Sequence, residues 1–103
     1  MKRLIYSVYD TCGECYQPPF LMKTKGEGIR AFTQAVNDSS TPLFKYPADY
    51  VLFELGTFDD VHCKYDLYKA PLRIGTAIEF KHVEPEEDDR QLQAFPRSVN
   101  EDS

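Results

Sequence analysis

The sequence predicts an α+β fold: a small antiparallel sheet in the order ββαβββ, with one helix packed on one face. Segments of alternating apolar residues lie on both sides of a single helical segment, and the connections between them are short. That arrangement is typical of an antiparallel sheet covered on one face. Apolar residues make up 42% of only 103 positions, which suits one small core and one domain, predicted at residues 1–82.

The first strand is predicted at residues 2–10, because apolar and polar side chains alternate there and β-branched and aromatic residues are frequent. Leu4, Tyr6 and Val8 fall on one face of this strand. The other face carries Arg3, Ile5, Ser7 and Tyr9. We expect one of the two faces to be buried under the helix.

The second strand is predicted at residues 15–22, returning antiparallel through a turn at residues 11–14. Pro18 and Pro19 lie within it. Proline cannot donate a ladder hydrogen bond, so this strand should lie at a sheet edge or break at the two prolines.

The helix is predicted to begin near Lys25. Thr24 is a suitable N-cap, with Glu27 three residues later as in a capping box. Apolar residues then recur at three- and four-residue spacing and form one stripe: Ile29, Phe32, Ala35 and Val36. Turn-forming residues at 37–42 should end the helix.

Three extended segments should follow the helix. Residues 50–58 are rich in aromatic and branched side chains and predict a third strand. Residues 64–68 predict a fourth strand across the turn at 59–63, and residues 74–81 predict a last one. These segments would complete the antiparallel sheet.

The negative charge is concentrated at the C-terminal end. Residues 1–82 hold ten Lys/Arg and ten Asp/Glu, whereas residues 83–103 hold two and seven, which accounts for the whole net charge of −5. A segment so acidic and so poor in apolar residues cannot offset its ordering entropy, so we predict a disordered acidic tail at residues 83–103. Phe95 and Pro96 could still act as an apolar anchor for a partner, and the tail could compete with DNA for a basic surface.

Several segments carry a resemblance to a known family. They are IRAFTQAVND at 29–38, PLFKYPADYVLFELGTFDD at 42–60 and IGTAIEFK at 74–81, preceded by YSVYD at 6–10 and PPFLMKT at 18–24. The chain resembles the small nonstructural protein of gokushoviruses, the Microviridae subgroup of single-stranded DNA phages. The resemblance implies a phage protein of the bacterial host cytoplasm, absent from the virion, that binds DNA during viral single-stranded DNA synthesis. It supplies no catalytic residues.

The cysteines leave metal binding open. The chain has three cysteines, and an odd number argues against a disulfide framework and for reduced thiols. Cys12 and Cys15 have the spacing of a metal or redox pair, and His62 and Cys63 could complete a zinc site if the two predicted turns met. Two prolines follow instead of a helix, which argues against a redox motif. We therefore expect turn residues, with no metal and no cofactor.

A DNA interface is predicted from basic and aromatic residues. The helix N-terminus adds amide donors for a phosphate, and tyrosines on exposed strand faces can stack on unpaired bases. The predicted nucleic-acid-binding residues are Lys2, Arg3, Tyr9, Tyr16, Lys23, Lys25, Arg30, Lys45, Tyr65 and Tyr68.

The leading functional prediction is a non-enzymatic protein that binds single-stranded DNA. His62 and His82 have no recognisable nucleophile beside them, which argues against catalysis. The longest apolar run, residues 50–53, is too short to cross a bilayer. The alternative is a protein-interaction module that recruits viral or host replication proteins without touching nucleic acid, and either form could be a homodimer. Convergence of the basic side chains on one face would favour DNA binding, whereas scattered charges would favour the interaction module.

Overall fold

The computed structural model describes residues 1–82. It confirms the α+β class, with a five-stranded antiparallel sheet and a helix on one face. The predicted acidic tail at residues 83–103 lies outside the described residues. In chain order the elements are β1 Lys2–Asp10, β2 Cys15–Tyr16, β3 Phe20–Met22, α1 Lys25–Val36, α2 Pro42–Lys45, β4 Tyr50–Asp59, β5 Lys64–Thr76 and a 3-10 helix Ala77–Phe80.

The strand order is β2-β1-β4-β5, with β3 also paired to β1. β2 pairs with the C-terminal end of β1, and β3 pairs with its N-terminal half. These two short strands therefore form one sheet edge that is interrupted at residues 17–19. Pro18 and Pro19 lie in that interruption, which confirms the predicted break.

Helix α1 begins where the sequence predicted. The Thr24 hydroxyl accepts a hydrogen bond of 3.1 Å from the Glu27 amide. Phe32 and Val36 from the predicted stripe are buried. A Cβ at Gly28 would lie 2.7 Å from the Tyr6 ring, so the missing side chain lets the helix approach β1 closely.

The core lies between the sheet and the helical elements. Its buried members are Tyr6, Val8, Phe32, Val36, Tyr50, Leu52 and Ala77. The one-turn helix α2, which was not predicted, packs Leu43 against this core. Thr41 begins α2, since its hydroxyl accepts a hydrogen bond from the Phe44 amide.

The prediction of two separate strands after residue 63 was wrong. Strand β5 runs through Lys64–Thr76, and the segment that follows is the 3-10 helix. Its register against β4 shifts between Leu67, opposite Gly56, and Leu72, opposite Glu54. Residues 68–71 form this bulge, so Pro71 lies where the ladder is already interrupted. The Thr76 amide donates to the Glu79 carboxylate and ends the strand.

A second bulge changes the orientation of side chains along β4. Ile5 pairs with Gly56 but Tyr6 pairs with Glu54, so Leu55 is an extra residue. Facing residues of antiparallel strands share a face. Glu54 therefore lies with Tyr6 under the helix, whereas Gly56 and Phe58 lie on the opposite side. A Cβ at Gly56 would lie 2.3 Å from the Asp66 carbonyl oxygen, so only glycine fits there without a shift of the backbone.

Candidate nucleic-acid interface

The sheet has one covered face and one open face. The helices and the 3-10 helix contribute to a single core on the covered face. Within residues 1–82, none of these helical elements covers the opposite face, which we call the open face, although Ile5 and Ser7 in its middle are buried, at 4% and 1% exposure. Its side chains follow from strand alternation and register: Arg3, Ile5, Ser7, Tyr9, Tyr16, Val51, Phe53, Phe58, Tyr65 and Arg73.

A three-ring cluster lies near one end of the open face. Tyr9 and Tyr16 are directly paired, and their ring centroids are 4.7 Å apart. Phe53 meets both rings nearly edge-on, at 6.4 Å from Tyr9 and 5.8 Å from Tyr16. The Tyr16 residue is 46% exposed. The cluster therefore presents an aromatic surface to solvent that neighbouring rings hold in place.

A two-ring pair lies further along β4. The centroids of Phe58 and Tyr65 are 4.8 Å apart, and Tyr65 is 67% exposed. At the usual rise of an antiparallel strand, Phe53 and Phe58 are separated by about 15 Å. Both aromatic groups lie on the open face because the Leu55 bulge brings Phe58 to the same side as Phe53.

Two arginines accompany these rings, and both are paired with acids. Arg3 lies on the Phe58 row, and its Nε is 3.1 Å from Asp60 Oδ2. Hydrogen bonds from the N-terminal ammonium and then from Arg3 lower the pKa of Asp60. Arg73 lies beside Phe53 in the register and binds Glu79. Exposed ion pairs contribute little stability, so a phosphate could replace either acid at small cost.

The structure brings only some of the predicted interface residues together. Arg3, Tyr9, Tyr16 and Tyr65 share the open face. Lys25 and Arg30 lie on α1 and Lys45 on α2, in the other layer of the molecule. Lys23 follows β3, and Lys2 lines a shallow polar pocket with Lys64 at the end of the sheet. The six predicted basic residues therefore do not form one surface.

Tyr68, one of the predicted nucleic-acid-binding residues, is bonded to a buried carboxylate. Its hydroxyl donates to Glu54 Oε2 at 2.5 Å, and the Tyr6 hydroxyl donates to the other oxygen at 2.9 Å. Glu54 is only 7% exposed. The hydrogen bond to Glu54, followed by desolvation, raises the pKa of Tyr68 to about 12. This carboxylate therefore connects the β5 bulge to the core.

Phe53, Phe58 and Arg73 are candidate interface residues that were not predicted from the sequence. Alternation in β4 separates Phe53 from the buried Leu52, so the sequence held a usable signal for Phe53. The same alternation places Phe58 on the wrong face unless the Leu55 bulge is known. Arg73 fell outside every predicted strand, because the bulge hides the continuation of β5.

The cysteine positions exclude the zinc site that was left open. Cys12 and Cys15 flank the turn after β1, whereas His62 and Cys63 lie in the turn before β5. Asp10 pairs with Cys15 at one end of β1, and Lys2 pairs with Asp59 at the other. A nine-residue strand separates the turns by about 27 Å, so the four residues cannot share an ion. The His62 ring instead contacts Asp59 at 2.9 Å.

Fold and surface together define a small two-layer α+β protein with an aromatic open sheet face. The family model described as Phage ORF5 protein matches residues 3–80. The chain therefore belongs to the Phage ORF5 family and is a phage protein. No curated protein and no solved structure matches it at a significant level. None of the helices in residues 1–82 is long and apolar enough to cross a membrane.

Proposed function

We propose that this protein binds single-stranded DNA on the open face during replication of the phage genome. The observation that carries the proposal is the presence of two aromatic groups, partly exposed and supported by neighbouring rings, on the sheet face that carries no helix. Aromatic platforms combined with Arg and Lys hold single strands without sequence readout, because every base has a stacking face. Duplex DNA hides those faces, so single strands should be preferred.

The charge of the protein sets the expected strength of binding. Residues 1–82 carry ten Lys/Arg and ten Asp/Glu, so no strong positive field draws DNA towards the sheet. Stacking should therefore supply more of the affinity than phosphate contacts. The salt dependence would be shallow, since few counterions are released. In this proposal the protein acts in the host cytoplasm, outside the virion and without catalysis.

Oligonucleotide titration of aromatic variants tests the proposal. A labelled single-stranded oligonucleotide and its duplex are titrated with wild type, Tyr16→Ala and Tyr65→Ala at low and moderate salt. Each substitution should weaken single-strand binding by about 5- to 150-fold, which corresponds to about 1–3 kcal/mol per stacked base. Tyr46→Ala is the matched control, because Tyr46 is 59% exposed but follows α2 in the other layer.

The outcomes show whether DNA binds to the open face or to the helical layer. If Tyr16→Ala and Tyr65→Ala bind as tightly as Tyr46→Ala, the open face is not the interface. If Lys25→Ala combined with Arg30→Ala has the larger effect, the DNA lies against α1, as the basic residues suggested. Preference for duplex over single strand would also contradict stacking as the main interaction.

A second candidate is a protein-interaction module that uses the outer edge of β5. Strand β5 is the last strand of the described sheet, and residues 64–73 are all exposed. Such an edge can accept a strand from a replication protein or from a second copy. The bulge, Pro71 and two lysines on β5 oppose such pairing, which places this candidate second. Sedimentation of the full chain that shows a dimer, lost in Leu67→Lys, would favour it.

A further inference from the structure

A groove on the covered face lies between α1 and the strands at the β3 edge. Its volume is about 500 Å³ and its walls are almost entirely apolar. Ala31 and Ala35 line it from α1, Phe20 and Met22 from β3, and Leu43 from α2. The alanines leave this side of the helix without large side chains, so one helix does not fill the width of the sheet. The volume is within the range of pockets that hold apolar ligands.

The described chain ends close to this groove. The His82 amide donates to Asn37 Oδ1 at 2.8 Å, and Asn37 is the C-cap of α1. Lys81 Nζ donates to the Phe44 carbonyl oxygen of α2 at 2.9 Å. Ala35 is within one helical turn of Asn37, a rise of about 5 Å at most. The chain therefore leaves the fold beside the end of the groove formed by α1 and α2.

The sequence after His82 contains a segment that matches the groove in chemistry. Among residues 83–103, Leu92 and Phe95 are the only aliphatic or aromatic side chains larger than valine. Residues 83–91 can extend over about 30 Å, far enough to bring both side chains to the groove. Closing so short a loop costs little entropy, and the tether keeps the segment at a high effective concentration.

We infer that the groove binds residues 92–95 of the same chain, with Leu92 and Phe95 inserted between α1 and β3. This inference goes beyond DNA binding and does not depend on it, because the groove and the open face lie on opposite sides of the sheet.

A single-tryptophan variant tests the docking. The chain has no tryptophan, so Phe95→Trp in the full-length protein provides a unique fluorophore. Its emission should be blue-shifted and protected from a water-soluble quencher. The matched control is Val99→Trp, which lies four residues further along the same tail and should emit as a solvated indole. Equal emission and quenching in the two variants would overturn the inference.

Amide chemical shifts test the docking without a bulky fluorophore. Leu92→Ser combined with Phe95→Ser should move the signals of Ala31, Ala35 and Leu43 and leave those of Tyr9 and Phe53 in place. Unchanged groove signals would overturn the inference even if the tryptophan variant failed to fold. Groove shifts that depend on protein concentration would also overturn it, because they would place the segment of one copy in the groove of another.

Discussion

The two faces of the sheet are built from the same strands, but the helical elements pack on only one of them. On the covered face, Tyr6 is fully buried, and its hydroxyl is bound by Glu54. On the open face, Tyr16 packs edge-on against Phe53 and remains half exposed. Buried tyrosines usually satisfy the hydroxyl inside the protein, whereas partly exposed ones can offer the ring and the hydroxyl to a ligand.

The difference indicates how stability and binding are divided. Side chains of the covered face contact both layers, so their loss should damage the whole fold. The aromatic side chains of the open face pack on neighbouring rings of the sheet, and Tyr16 and Tyr65 are exposed, so their loss should affect a ligand more than the fold. Substitutions on the covered face should therefore lower the free energy of unfolding, whereas substitutions on the open face should mainly lower the affinity for a ligand.

The largest expected effect is that of Phe32→Ala. Phe32 is buried in the core and meets Phe80 edge-on at a centroid distance of 5.5 Å. Removing a buried phenylalanine costs about 3–5 kcal/mol, a large part of the stability of a small domain. Urea unfolding should show this loss, whereas Phe53→Ala on the open face should cost clearly less. Equal losses would show that the open face is also covered in the native protein.

A second test compares two glycines of α1. Gly28 contacts the Tyr6 ring, whereas a Cβ at Gly26 would meet nothing closer than 3.9 Å. Gly28→Ala should lower the free energy of unfolding by about 1–3 kcal/mol through overpacking. Gly26→Ala should raise it by about 0.5–1 kcal/mol, since alanine is the better helix former. Thermal melts of the two variants give the comparison, and stabilisation by Gly28→Ala would mean that α1 lies further from β1.

A smaller effect is expected from Tyr68→Phe, and it depends on pH. The pKa of Tyr68 is raised from 10.0 to about 12 in the folded protein. A raised pKa means that its stabilisation is complete below pH 10 and is lost as the pH rises from 10 to 12. Tyr68→Phe should be less stable than wild type at pH 8, and the two should converge towards pH 12 in denaturant titrations. A constant difference up to pH 12 would contradict the hydrogen bond to Glu54.

The smallest effect on stability is expected at the border of the open face. Asp60→Asn removes the acid that pairs with Arg3 and the N-terminal ammonium, in an exposed position. Because the pKa of Asp60 is lowered, its stabilisation is present at neutral pH and is lost as the pH falls through that lowered value. The melting temperature at neutral pH should change little, while Arg3 becomes available to phosphate. Single-strand affinity should rise at low salt, and unchanged affinity would exclude Arg3 from the interface.

Local patterns in the sequence predicted the elements well. The Thr24 cap and the stripe through Phe32 and Val36 located α1, because these features depend only on near neighbours. Alternation along β1 gave both of its faces correctly, since β1 keeps its alternation and the bulges lie on β4 and β5. The double proline located the interrupted edge for the same reason.

The composition of the open face could not be predicted in full because strand register is a long-range property. The extra residue at Leu55 reverses the alternation of β4 and is visible only in the pairing with the neighbouring strands β1 and β5. The bulge at 68–71 made one long strand resemble two short ones. Basic residues that were predicted to share one interface, such as Arg3 and Arg30, lie in different layers because Arg3 is on β1 and Arg30 is on α1.

The Glu54 carboxylate has a consequence for how the edge strand opens. Residues 64–73 are exposed and would be expected to exchange their amide hydrogens early. Fraying that proceeds past Tyr68 removes one of the two hydroxyl donors of a buried carboxylate, which is costly. Opening of the hairpin should therefore stop at the bulge, with rapid hydrogen exchange in residues 64–67 and slow exchange in residues 74–76. The bulge then acts as a boundary between two cooperative folding units within one continuous strand.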